Sequence, residues 1–227
     1  TMSLKLASGF TFDYDNLFGE GKVTEADIKE FEGELKKAHE AMKVMRESGI
    51  IREHLSKDGT PEKVLFSQLP YIEEGHLNSP SSMAHLQELT DSVRNRVDAV
   101  VSLGIGGSYL GDKVLFDVHC GEFWNAKSLE ERDGFPKIYF SGNNIDPRRT
   151  GDLIHHLESS AQIAKTHVKR NLRVLLLVIS KSGGTLDTMS NFMIIYDKLM
   201  KNPAIDVEVV AVTDPNEEKP TLLKKLA

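Results

Sequence analysis

Asp98-Ala-Val-Val-Ser-Leu-Gly-Ile-Gly-Gly-Ser-Tyr-Leu-Gly111 is the stretch that decides how this chain reads. Ala99 to Leu103, with Ile105, form a mostly apolar run that predicts a strand buried on both faces. The run breaks at Gly104, Gly106 and Gly107, and residues compatible with a helix resume at Tyr109. A strand that stops in glycines and restarts as a helix leaves backbone N–H groups unpaired around one point. No Cβ blocks the approach of an anion there, and the helix N-terminus adds a favourable dipole. Ser108 adds a hydroxyl. A tight strand-to-helix turn without a ligand is the alternative, and this stretch alone does not choose between the two.

Downstream, strands alternate with helices. Short apolar runs predict strands over Ala99–Leu103, Lys137–Phe140, Arg173–Ile179 and Val207–Val212, with a helical pattern in each interval. That alternation predicts an α/β layer: an open parallel sheet with helices on both faces and right-handed crossovers. The polar 122–134 stretch, with Trp124, reads as a surface excursion. Upstream, Thr24 with Asp27 three residues on marks a helix start. Ile28, Phe31, Leu35, Ala38, Met42 and Met45 then trace one helical face, expected to pack into a core, and Gly49 closes the helix. Ser82 is expected to cap a second helix with Met83, Leu86, Leu89 and Val93 on its inner face. The expected division is a helical segment over residues 1–97 and the α/β layer over 98–227.

Composition narrows the function classes. Hydrophobic residues make up 40% and charged residues 27% of the 227 residues, as in soluble globular proteins. With 28 Lys and Arg against 34 Asp and Glu, the net charge is −6. General nucleic-acid binding is therefore not expected, and any anion site must be local. Cys120 is the single cysteine, so no intrachain disulfide forms, in keeping with a reducing compartment. No apolar run approaches the roughly 20 residues of a membrane span. With no signal-peptide layout at the start, the expected location is the cytoplasm.

In open parallel sheets ligands sit beyond the carboxyl ends of the strands. The first predicted strand runs into Gly104-Ile-Gly-Gly-Ser108, the second into Ser141-Gly-Asn-Asn-Ile-Asp146 and the fourth into Thr213-Asp-Pro215. Asp146 reads as a cap, with Pro147 at the first helical position. The third strand ends in Ser180-Lys-Ser-Gly-Gly-Thr185, then a helix carrying Leu186, Met189, Phe192, Met193, Tyr196 and Leu199. Three hydroxyls, one ammonium and two glycines at a helix start suit a phosphate. Hydroxyls and amides are neutral donors, Lys181 adds charge, and the dipole contributes roughly 0.3–1 kcal/mol. The alternative is a Ser/Gly-rich turn with a solvated Lys181, but two such turns on one sheet favour phosphate. The dinucleotide pattern fails, because its third glycine would fall at Tyr109. The P-loop pattern fails because Gly106 and Gly111 are followed by Asp112-Lys113.

Gly104-Ile-Gly-Gly-Ser-Tyr-Leu-Gly111, the Ser141-Gly-Asn turn and Val178-Ile-Ser-Lys-Ser-Gly-Gly-Thr185 resemble the first sugar-isomerase (SIS) domain of the glucose-6-phosphate isomerase family. The likeness continues through Asp197 and residues 207–227. It implies a flavodoxin-like sheet and the glycolytic and gluconeogenic interconversion of glucose 6-phosphate and fructose 6-phosphate. Neither a metal nor an organic cofactor is implied, and the full-length enzyme is expected to be a homodimer. The resemblance puts the substrate phosphate on Ser180, Lys181, Ser182 and Thr185, with Gly107 and Ser108 facing the sugar. Two departures stand out, since the family commonly has threonine or another side chain at Gly184 and glutamate at Asp187.

Ring opening in the family uses a histidine and a lysine, a glutamate moves the proton between C2 and C1, and an arginine stabilises the enediol. All four fall beyond the family's equivalent of Ala227. This chain is therefore expected to be a piece of the enzyme, incomplete in its sheet and inactive alone. The paired acids Glu73-Glu74, Glu130-Glu131 and Glu217-Glu218 read as solvated, and His119, His155 and His156 lack metal-ligand spacing. The other reading is a non-catalytic SIS module sensing a sugar phosphate within a regulator. Such a regulator is expected to carry a DNA- or partner-binding segment, and the first 97 residues show no basic helix-turn-helix pattern.

Overall fold

A computed structural model describes residues 3–55, 59–214 and 220–226; Glu217 and Glu218 lie outside them. The chain divides into two compact units, Thr1–His85 and Leu86–Ala227.

In the first unit, β1 (Ser3–Lys5) and β2 (Thr11–Asp13) form an antiparallel pair, as do β3 (Ile50–Leu55) and β4 (Pro61–Lys63). Between the pairs runs α1 (Glu25–Ser48). The Thr24 hydroxyl accepts the Asp27 N–H at 3.2 Å, and the Asp27 carboxylate accepts the Thr24 N–H at 2.7 Å. The helix ends at Gly49 in the left-handed conformation. The expected core packing of its apolar face is not found: Phe31 is 59% and Met42 63% exposed. Two short hairpins offer too little apolar surface to cover 24 helical residues.

The next helix, α2 (Pro80–Val93), corrects a cap assignment. Ser79, not Ser82, precedes the first turn. Its hydroxyl accepts the Ser82 N–H at 3.2 Å, and the Ser82 hydroxyl accepts the Ser79 N–H at 2.9 Å. Pro80 decides the matter, because its fixed φ and missing N–H suit the first helical position. Of the inner face expected for α2, Leu89 and Val93 approach the sheet described below, whereas Leu86 is exposed.

The second unit continues with β5 (Ala99–Leu103), α3 (Gly107–His119), β6 (Lys137–Ser141) and α4 (Pro147–Ile163), which runs into a π-helical turn, Ala164–Val168. Then come β7 (Leu172–Ile179), α5 (Leu186–Met200), β8 (Ile205–Val212) and α6 (Leu222–Leu226). The four strands form one parallel sheet in the order β6-β5-β7-β8, within two residues of the expected limits. Asp146 caps α4 as expected, accepting the Arg148 N–H at 2.9 Å.

Alternation along the strands sorts the two faces. Val101, Leu103, Val174, Leu176 and Val178 form the buried core with Leu157 of α4 and Ile195 and Leu199 of α5. On the other face Phe140 packs edge-on against Tyr109 and Phe116 of α3. There Val100, Leu175 and Leu177 border an apolar cleft of about 380 Å³ together with Leu89, Val93 and Trp124. Helices thus flank both faces of the sheet, one of them less tightly.

The 122–134 stretch is more than a surface excursion. Asn125 accepts the Ile138 N–H at 2.8 Å and donates to the Ile138 carbonyl at 2.7 Å, satisfying the outer edge of β6.

At the amino ends of the strands, Asp98 ties β5 to β7. Both terminal nitrogens of Arg170 donate to its carboxylate, at 2.6 and 2.7 Å, and the Arg173 N–H adds a third bond at 2.8 Å. Burial works to raise the Asp98 pKa, but these bonds and the two guanidinium charges outweigh it and hold the carboxyl below its ordinary value. A carboxyl depressed in the folded state stabilises the fold above its unfolded pKa of about 3.9, and that contribution is lost as pH falls through the folded value. Asp98→Asn is therefore expected to lower the urea midpoint at neutral pH, with the deficit shrinking below about pH 4. Urea titrations of both proteins across that range check this; a deficit independent of pH contradicts it.

Candidate functional site

β5 lies between β6 and β7, so the chain leaves it in one direction and returns on its other side. α3 accordingly packs on one face and α5 on the other. The point where strand order reverses opens a crevice beyond the carboxyl ends. Leu103 is in register with Val178, so the turns after β5 and β7 emerge at the same level.

The turn after β5 is shaped by a close approach. A Cβ on Gly104 would lie 2.1 Å from the Ser108 carbonyl oxygen, so no side chain fits while the chain doubles back into α3. Ser108 sits in the first turn of that helix, half-buried.

After β7, the Ser180 N–H extends the β7–β8 ladder by donating to the Val212 carbonyl at 2.9 Å. Its side chain is 1% exposed. The Ser180 hydroxyl oxygen accepts the Gly183 N–H at 3.1 Å and lies 2.9 Å from the Thr185 hydroxyl. Only one hydroxyl hydrogen is needed between the two, so the other remains for a third group. Thr185 precedes α5, and its side chain makes no capping hydrogen bond to that helix start. Gly183 has φ +62°, and a Cβ on it would lie 2.5 Å from the Cβ of Thr221, so this turn also excludes a side chain. Thr221 is held in turn by the Thr213 hydroxyl at 3.0 Å and the Lys224 N–H at 3.1 Å.

Two amides of this turn are engaged inside it rather than open to an anion. Gly183 N–H reaches the Ser180 carbonyl at 3.1 Å as well as its hydroxyl, and Gly184 N–H donates to the Ser182 hydroxyl at 3.3 Å. The Ser180 and Ser182 hydroxyls each accept one backbone N–H, and the Ser182 hydroxyl also lies 3.5 Å from that of Thr185, so two contacts among three hydroxyls leave at least one hydrogen for the cleft.

Ser108, Ser180, Lys181, Ser182 and Thr185 line one cleft of about 470 Å³ with Asp214 and Thr221. Gly107 opens α3 without reaching that wall. Sequence reasoning missed Asp214 as a wall residue, although it follows the β8 strand end. Thr221 lies beyond any strand end and gave no signal. Lys181 and Asp214 carry opposite charges, so donors rather than net charge distinguish this cleft. Burial pushes the Cys120 thiol up from its ordinary value against the pull of Lys127, which argues against a nucleophilic role. Among the described residues no group of three or more His, Cys, Asp or Glu side chains is placed to hold a metal. None of the described helices is long and apolar enough to cross a membrane.

Behind the cleft, buried Asn191 of α5 fastens the helix start to the β6–α4 turn. Its amide oxygen accepts the Thr150 hydroxyl at 2.7 Å, and its nitrogen donates to the Asn144 carbonyl at 3.0 Å and the Asp187 carbonyl at 2.8 Å. An asparagine within a helical pattern gives no sign of this role in sequence.

Fold and cleft together define an open parallel α/β domain with a crevice at its topological switch point. No family model matches the chain. Part of it is similar to curated glucose-6-phosphate isomerases. Identity to the enzyme of Pediococcus pentosaceus is 30% over 132 residues, 56% of this chain and 27% of that one. For Latilactobacillus sakei it is 33% over 118 residues, 52% of this chain and 23% of the relative. For Clostridium perfringens it is 30% over 144 residues, 63% and 29%. The match thus spans about a quarter of the length of these relatives. The resemblance read from the strand-end turns is borne out.

Two substitutions test the packing behind the cleft. Asn191→Ala leaves the buried Thr150 hydroxyl without its partner and is expected to cost about 1–3 kcal/mol. Thr188 is fully buried, and its hydroxyl has no hydrogen-bond partner among the described residues. Thr188→Val is therefore expected to be neutral or stabilising by up to about 1 kcal/mol. Chemical denaturation of both variants decides; a destabilising Thr188→Val reveals a partner for that hydroxyl.

Proposed function

We propose that this chain carries the phosphate-binding part of an aldose–ketose isomerase that interconverts glucose 6-phosphate and fructose 6-phosphate. The observation that carries the reading is the Ser180–Thr185 hydroxyl pair, at the start of α5 and in one cleft with Ser108. A phosphate there receives at least one O–H donor from the Ser180, Ser182 and Thr185 hydroxyls, the Lys181 charge and the α5 dipole. Ser108, across the switch point, is then placed toward the sugar, with Gly107 beside it. Asp214 opposes excess negative charge, favouring a site that recognises phosphate by directed hydrogen bonds rather than by a field.

The isomerisation moves a proton between C2 and C1 through an enediol, and so needs a base within hydrogen-bond reach of the sugar. Among the described residues lining this cleft the titratable side chains are Lys181 and Asp214, and no histidine or glutamate is present. Proton transfer is therefore assigned to groups other than these. The same reading places the protein in the cytoplasm and the complete enzyme in a homodimer, and it requires no cofactor.

Two outcomes follow for the purified chain. Ser180→Ala is expected to weaken glucose 6-phosphate binding by about 1.5–3 kcal/mol, the scale of a hydrogen bond to a charged group. Calorimetric titration checks this, and unchanged affinity removes the site. The 227-residue chain alone is expected to give no turnover in a coupled assay free of host isomerase; turnover would show that the chain holds its own base.

A further inference from the structure

At the opposite rim of the sheet, where the strands begin, a second cavity of about 270 Å³ opens beside β5, β6 and the end of α4. Its walls are mainly apolar, with Leu157, Ile163 and Leu172 among them, and three cations reach it: Arg132, Lys137 and Arg170. The charge of Arg170 is matched by Asp98, which also borders the cavity. The guanidinium of Arg132 bonds only carbonyls among the described residues.

Arg132 is only 5% exposed. Its guanidinium donates to the carbonyls of Phe135, at 3.0 Å, and Lys127. Among the described residues no carboxylate forms an ion pair with it. Glu131, its chain neighbour, is exposed and accepts the Ser128 N–H instead. Lys137, the first residue of β6, likewise has no side-chain partner among the described residues. Glu131 acts on Arg132 only through space, so burying this cation without a bonded carboxylate costs free energy that an entering anion offsets.

The end of α4 completes the cavity wall. Ala164 and Val168 line it from the two ends of the π-helical turn, and Lys169 then takes the left-handed conformation at φ 62°. β5 is five residues long, so at about 3.3 Å per residue the cavity lies on the order of 15 Å from the sugar-phosphate cleft. The two do not overlap.

We propose that this cavity binds a small organic anion with an apolar body, its carboxylate at Arg132 and Lys137 and its chain against Leu157 and Ile163. The volume is just under the roughly 300 Å³ at which drug-sized sites begin, so the ligand is a compact monocarboxylate.

Hexanoate is the probe, titrated into the purified chain by ligand-observed NMR beside hexanol and inorganic phosphate. Hexanoate is expected to bind, with hexanol and phosphate each at least about ten-fold weaker. Lys137→Met is expected to weaken hexanoate about ten-fold, while Ser180→Ala leaves it unchanged. Arg132→Met is read only if its circular dichroism matches the parent, since Arg132 also holds two carbonyls; Lys137→Met carries the test otherwise. No hexanoate binding by the folded chain overturns the proposal. So does unchanged affinity in folded Lys137→Met, or phosphate binding as well as hexanoate.

Discussion

The pairing of β5 with β7 is the constraint on which the site rests. Val101 and Leu176 lie side by side, as do Leu103 and Val178, and all four point into the core under α4 and α5. A slip of one residue would turn one strand's apolar set to the other face, so burial enforces the register. Asp98 pins the opposite end through Arg170 and the Arg173 N–H. With both ends held, the turns carrying Ser108 and Ser180 must open at one level, and the cleft follows from the sheet rather than from either turn.

The chemistry of that cleft is one of directed donors. A single lysine and a single aspartate leave it nearly balanced in charge, in a chain whose net charge is −6. In the proposed reading, selectivity for an anion comes from hydroxyl donors, of which Ser180 and Ser182 each accept one backbone amide, from Gly183 and Gly184. The Asn191 network keeps α5 and the β6–α4 turn in fixed relation behind the cleft, so the donors are organised before a ligand arrives.

Much of this was legible in the sequence. The four strands are short apolar runs between helical patterns, and β5 matches its expected limits because glycine ends it abruptly. Asp146-Pro147 was readable because the cap and the first-turn proline act locally. Ser79 was not, because serines stand at 79, 81 and 82 and only the geometry around Pro80 separates them. The apolar face of α1 shows the complementary failure: periodicity says which residues would be buried, not what would cover them. Thr221 and Asn191 escaped notice for another reason. Their partners, Thr213 and Gly183 for one and Thr150 and Asn144 for the other, are distant in sequence or meet them only once the turns have folded.

The central claim is that Ser180 to Thr185 receives the phosphate of a sugar phosphate at the switch point of the sheet. A crystal of this chain soaked in fructose 6-phosphate tests it directly. The account predicts phosphate density within hydrogen-bonding distance of the Ser180 or Thr185 hydroxyl and of Ser182, with the sugar extending toward Ser108. Density lodged elsewhere, with the Ser180–Thr185 pair undisturbed, would contradict it.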